Sequence, residues 1–419
     1  MLGRLASVPA FFGLRILSGL LLLKLSASFL PVSGFAAFSQ FMSFAAFLNL
    51  VAIGGAQNGV IRQAAAAQDG AALERVRSAA VAIWAMVAPG LALAILLGSG
   101  LISRVLVGSS SAWMVVAAIA ILALAAGPGQ IACSILTGRK RVASSLAAQA
   151  SGLVASTIMA AWLIRRGDPA AAAIGFASGP LVTMAVALLL AARLRLGPIA
   201  PRAARAEVRA LLRYSAAMAA TTGFSAILLF GLRSFYRETF DATQLGYWVA
   251  ANRISDMSTQ LLGLFMIQFF VPHYAMTESE PARRALILRC WAVGAAAMGA
   301  IPLVFSLGSG MLVHLFLSNA YRPAIPVIRA YMIGDFLRVW VSFAMYVAFA
   351  RGRPDRYAGI EMGTLTIMAA IMVALIVAGD PAAPQIAYIG GYTVAALLAT
   401  LGFLWRPAET VALRPVPHP

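Results

Sequence analysis

Seven basic side chains fall inside stretches otherwise apolar enough to cross a bilayer: Arg15, Lys24, Arg233, Arg253, Arg289, Arg329 and Arg338. A charge near the bilayer centre costs about 2.5–3.5 kcal/mol on insertion scales, so such groups face a partner or a watery cavity. Arginine grips phosphate oxygens through paired hydrogen bonds, which makes a cationic path for an anionic group the chemistry these residues suit. Only three acids accompany them, Asp256, Asp335 and Glu361, so the cations are in excess. Arg289, Arg329 and Glu361 lie within a few residues of helix ends, where long side chains snorkel to the interface, and they fall outside the expected lining.

Spacing assigns the rest to faces. Arg253, Asp256 and Gln260 recur at i, i+3 and i+7 and form one polar stripe, and Asp335 and Arg338 are also three apart. Each acid–base pair has a second reading, an internal ion pair that makes burial tolerable. At 1.5 Å per residue, Arg15 is level with Asn58 and close to Arg62 on the cytoplasmic side; Asp335 and Arg338 lie near mid-membrane; Asp256, Arg253, Lys24 and Arg233 lie progressively nearer the outer surface. The expected substrate-binding set is therefore Arg15, Lys24, Asn58, Arg62, Arg233, Arg253, Gln260 and Arg338, with Asp256 and Asp335 as the proton-coupling candidates. Arg15 and Lys24 are half a helical revolution out of phase, so both face one cavity only if their helix bends or is wetted on two sides.

The elements that carry these residues follow from composition. The 419-residue chain is 61% hydrophobic and 11% charged, far below the roughly 25% charged composition of soluble domains. Twelve segments reach the ~17–25 apolar residues that span a bilayer: 9–30, 36–61, 78–98, 112–136, 143–164, 170–192, 214–235, 247–272, 287–308, 327–350, 357–378 and 384–404. Nothing alternates with the period of a barrel strand, so the expected class is an all-α integral membrane protein of twelve transmembrane helices. With the amino terminus inside, twenty basic residues fall in cytoplasmic connections and five (Arg104, Arg165, Arg166, Arg237 and Arg322) in outer ones, which places both termini in the cytoplasm. Topology thus explains the net charge of +18, and no nucleic-acid partner is expected.

The basic stretch 193–213, with Pro198 and Pro201, reads as a cytoplasmic linker between a six-helix half at 1–192 and a second at 214–404, followed by a tail at 405–419. Echoes at an offset of roughly 210–214 residues support duplication: Gly34-Phe35 with Gly246-Tyr247, Pro89 with Pro302, Leu101–Gly108 with Met311–Ser318. Duplicated transporters bind between their repeats near mid-membrane, so a central cationic cavity is expected. Cys133 and Cys290 lie within spans as packing residues; no metal site and no cofactor are expected.

Several short motifs carry a family likeness. Gly55-Ala56-Gln57-Asn58-Gly59-Val60 closes the second span; Gly246-Tyr247-Trp248 and Ile254-Ser255-Asp256 lie in the eighth; Leu317-Ser318-Asn319 precedes the tenth, which holds Gly334-Asp335; Tyr388 and Tyr392 lie in the twelfth. With these the chain resembles Wzx-type polyprenyl-pyrophosphate oligosaccharide flippases, of the multidrug/oligosaccharidyl-lipid/polysaccharide exporter superfamily, and among them the lipid III flippase branch. Arg15 and Lys24 resemble that branch too, whereas Arg253 replaces a small polar residue. The resemblance implies alternating-access translocation of an undecaprenyl-pyrophosphate-linked oligosaccharide from the cytoplasmic to the periplasmic leaflet of a bacterial inner membrane, for O-antigen and lipopolysaccharide assembly, with polysaccharide polymerase and chain-length proteins as partners. A multidrug extruder of the same fold is the first rival, disfavoured by two cations and no acid in the first span. A membrane glycosyltransferase or polymerase is the second, but no loop holds a paired-carboxylate motif, and no enzyme is expected.

Overall fold

The computed structural model describes residues 2–193, 205–266, 270, 273–274, 277, 279–351 and 353–405. All regular structure among them is helical. The first half comprises α1 (Leu2–Phe29), α2 (Val32–Val51), α3 (Gln57–Ala66), α4 (Gly70–Val107), α5 (Trp113–Ala125), α6 (Gly127–Gly138), α7 (Val142–Ile164) and α8 (Pro169–Ala192). The second comprises α9 (Arg205–Thr239), α10 (Ala242–Phe265), α11 (Glu280–Phe316), α12 (Ile325–Ala350), α13 (Pro354–Val377) and α14 (Ala383–Trp405). Eight segments among the described residues are long and apolar enough to cross a membrane, so this is a multi-pass membrane protein.

Helix ends follow local chemistry. The Asp69, Asp168 and Asp241 side chains accept from the Ala72, Ala170 and Gln244 amides to cap α4, α8 and α10. Two expected spans are interrupted. The second bends between α2 and α3, where Gly54 and Gly55 hold φ of +59° and +70°, a conformation open to glycine at little cost. The fourth breaks at Ala126, ahead of Pro128, which lacks the N–H a continuous helix needs. Conversely α4, with 38 residues, is ~57 Å long and stands well clear of a ~30 Å hydrocarbon layer. The second half of the expected linker is already helix, since α9 starts at Arg205; residues 194–204 and the tail from 406 lie outside the described residues.

Each half has its own core. One cluster gathers Phe38, Phe41, Leu48, Ile119, Leu124 and Ile164 from the first half; another gathers Trp248, Val249, Tyr331, Met332 and Tyr388 from the second. Each core also takes in a helix of the other half: Leu23, Ala27 and Phe35 enter the second, and Phe230 of α9 packs on the first. The halves meet along α2 and α10. A Cβ on Gly246 would strike the Val32 carbonyl oxygen, 2.6 Å away, and Arg253 donates to the Ser39 carbonyl at 2.9 Å. Both positions advance together, so the two helices run parallel. The touching residues are also the ones that the expected repeat offset pairs.

Within the first half, α7 and α8 pack backbone to backbone. A Cβ on Gly152 would lie 2.7 Å from the Gly179 carbonyl oxygen, and one on Gly179 would lie 2.5 Å from that of Gly152. Gly179→Leu should therefore destabilise the protein by ~1–3 kcal/mol through overpacking. Thermal unfolding of detergent-solubilised protein reads this; an unchanged midpoint would contradict the packing.

Candidate functional site

Five helices of the second half (α9, α10, α12, α13 and α14), with Ser43 of α2, line a cavity of about 360 Å³. Its walls carry Arg233, Arg338, Asp256, Glu361 and Asn252 among aromatic side chains that include Trp248, Tyr331, Tyr388 and Tyr392. The described residues thus place this cavity inside the second half, where a site between the halves was expected.

A chain of polar contacts runs along one wall. Asp335, only 1% exposed, accepts from Ser255 Oγ and from the Tyr388 hydroxyl, both at 2.7 Å. Arg338 donates to the same Tyr388 hydroxyl at 3.3 Å, so it reaches Asp335 through a phenol. Tyr388 stacks on Tyr331 with centroids 4.1 Å apart, and Trp248 Nε1 donates to the Tyr331 hydroxyl at 2.5 Å. The Arg233 and Arg338 guanidiniums lie 5.8 Å from the ring centroids of Trp248 and Tyr392. Cations held against ring faces gain from the ring quadrupole, more so where water is excluded.

The opposite wall joins the halves. Arg233, 3% exposed, donates to Gln40 Oε1 at 2.8 Å, while its buried Nε has no hydrogen-bond partner. Arg253 turns away from the cavity and donates to the Ser39 carbonyl and, at 3.2 Å, to Ser43 Oγ. Among the described residues, Arg233, Arg253 and Arg338 make no ion pair.

The expected site residues therefore separate. Arg233, Arg338 and Asp256 line the cavity, and Asp335 lies directly behind it. The stripe on α10 is rotated from its expected position: Asn252, Asp256 and Thr259 face the cavity, with Asn252 Nδ2 donating to Asp256 Oδ2 at 2.9 Å, while Arg253 packs on α2 and Gln260 is exposed. Lys24 does not line this cavity; its ammonium donates to the His314 and Leu317 carbonyls at 2.5 and 2.7 Å. Arg15, Asn58 and Arg62 are exposed, away from this cavity. Glu361, set aside as a snorkelling group, lines the cavity. The lining thus holds two arginines and two carboxylates, and the expected excess of cations does not hold there. Sequence reasoning did not single out Gln40, Asn252 or Tyr331. An amide in the apolar run of α2, one of two with Asn49, was the one signal for Gln40, whereas nothing in the sequence distinguishes Tyr331 from an ordinary core aromatic.

The fold is similar to that of several solved twelve-helix membrane proteins. Lipid II flippase MurJ in an inward closed conformation superposes with a TM-score of 0.74 at 13% identity, over 97% of this chain and 88% of that one. An inward-facing multidrug resistance MATE family transporter of the MOP superfamily gives 0.67 at 14% identity, over 93% of both chains. An outward-facing MATE family transporter gives 0.59 at 15%, over 95% of this chain and 93% of that one. No protein-family model matches the chain, and no curated protein matches it by sequence.

The Tyr388 hydroxyl ties Asp335 to Arg338. Tyr388→Phe should cost ~1–3 kcal/mol by leaving buried polar groups short of a partner. The fall in unfolding midpoint measures this, and a neutral substitution would show that the contact chain carries no stability.

Proposed function

We propose that the chain is a flippase that carries a polyprenyl-pyrophosphate-linked oligosaccharide from the cytoplasmic to the periplasmic leaflet of a bacterial inner membrane by alternating access. The observation that carries this reading is the placement of Arg233 and Arg338 on one cavity, each satisfied by neutral oxygens and ring faces and neither by an ion pair. A guanidinium so held keeps donors for a phosphate oxygen. The aromatic faces and the Asn252 amide offer sugar rings an apolar surface and hydrogen-bonding partners. The lipid tail stays in the bilayer while the head crosses. Polysaccharide polymerase and chain-length proteins are the proposed downstream partners, and Asp256 and Asp335 the proposed proton carriers.

A multidrug extruder is the second reading. The carboxylates of Asp256 and Glu361 on the same lining favour it, since acids among aromatic rings suit an organic cation.

Deleting the chain in its host separates the two. The flippase reading expects the finished lipid-linked oligosaccharide to accumulate on the cytoplasmic face, scored with an outer-face lectin on spheroplasts. Wild type restores outer-face material, and Arg338→Ala restores less than a tenth of it. Normal outer-face material in the deletion strain, together with new sensitivity to cationic drugs, would establish the extruder instead. Proton coupling has its own check: Asp335→Asn and collapse of the proton gradient should each slow translocation, and a rate indifferent to both would remove it.

A further inference from the structure

The Lys24 contact has a counterpart. Lys24 of α1 donates to the His314 and Leu317 carbonyls at the C-terminal end of α11, in the other half. Arg237 of α9 donates to the Arg104 carbonyl at 2.9 Å and the Val105 carbonyl at 3.3 Å, at the C-terminal end of α4, again in the other half. The last carbonyls of a helix carry the negative end of its dipole, so a cation is favoured there; the Arg104 carbonyl accepts from Arg237 in addition to the Gly108 amide, which donates to it at 2.8 Å. Lys24 and Arg237 stand at the same offset that relates the halves, as do the ends of α4 and α11 to within a turn. The two contacts are one kind of interaction made at corresponding positions of the two halves.

Their surroundings make each a closure. Beside Lys24, Ser318 Oγ donates to the Ala27 carbonyl at 2.8 Å, a second bond between the halves. Beside Arg237, Gly108 ends α4 with φ of +83°, and a Cβ there would lie 3.0 Å from the Arg237 Nε, so the arginine is seated against bare backbone. Between the two stand α2 and α10, touching at Val32 and Gly246. All these contacts lie at the end of the bundle remote from Arg15 and Arg62.

We infer that Lys24 and Arg237 are paired latches of a gate that shuts this end, and that both release when the bundle opens there. They are positioning residues that touch no transported group. The inference rests on the alternating-access part of the proposed function, and its test does not depend on which substrate moves.

The test is labelling of Ser43→Cys, the α2 residue on the cavity lining, in a chain whose Cys133 and Cys290 are replaced by alanine. A membrane-impermeant maleimide is added to intact spheroplasts. Lys24→Ala and Arg237→Ala should each raise the labelling rate at least threefold, the double variant more, while Lys24→Arg and Arg237→Lys stay near the parent rate. Equal rates in all variants that elute as folded monodisperse protein would overturn the inference. Should the alanine variants fail to fold, a cysteine pair at Ala27→Cys and Ser318→Cys decides: oxidation should keep the end shut and stop Ser43→Cys labelling, with recovery on reduction, and undiminished labelling in the cross-linked protein would equally overturn it. Because the readout is access and not transport, a failed flippase assay leaves it intact.

Discussion

A guanidinium in a bilayer must be solvated by something, and for Arg233, Arg253 and Arg338 the solvating groups among the described residues are neutral. Arg233 takes an amide oxygen, Arg253 a backbone carbonyl and a hydroxyl, Arg338 a phenol, and two of the three rest against aromatic rings. Bare backbone or amide oxygens satisfy donors without cancelling charge. Arg233 and Arg253 find those oxygens on α2, in the other half, so the same contacts that make burial tolerable also join the halves. The carboxylates are then left to other work: Asp256 and Glu361 face the cavity, and Asp335 anchors the Ser255–Tyr388 contacts behind it.

The twelve-span architecture was legible because spanning demands a minimum apolar length and little else. The expected duplication rests on the spacing of Gly and Pro in the sequence, and the helices that carry the first echo, α2 and α10, run side by side. Which side of a helix faces a cavity was not legible, because one residue of error in phase turns a side chain by 100°. For that reason the stripe expected at Arg253, Asp256 and Gln260 is in fact Asn252, Asp256 and Thr259. Lys24 stands apart from this cavity for a different reason. Its partners are backbone carbonyls at the end of α11, and carbonyls have no signature in a sequence. The count of charges is a similar case: seven cations against three acids describe the apolar spans, whereas two against two describe the cavity wall.

Duplication gives the two halves equal ends and unequal interiors. Cations cap helix termini in both, yet the described cavity belongs to the second half, walled by tyrosines and by α13 and α14. A head group entering from the basic end, as the proposed function requires, would meet this asymmetric wall. Charge balance matters for such a passage, since a cavity that bound a pyrophosphate with unopposed arginines would hold it too long to release it.

The central claim is that the chain itself moves a lipid-linked pyrophosphoryl glycan through a path containing Arg338. The direct measurement is reconstitution of purified protein into liposomes holding a polyprenyl-pyrophosphate-linked oligosaccharide, with an external glycosidase reporting how fast inner-leaflet glycan becomes accessible. Wild-type protein should bring the inner pool to the surface at least tenfold faster than protein-free liposomes, with Arg338→Ala close to the protein-free rate. Equal rates for wild-type and protein-free liposomes would contradict the claim.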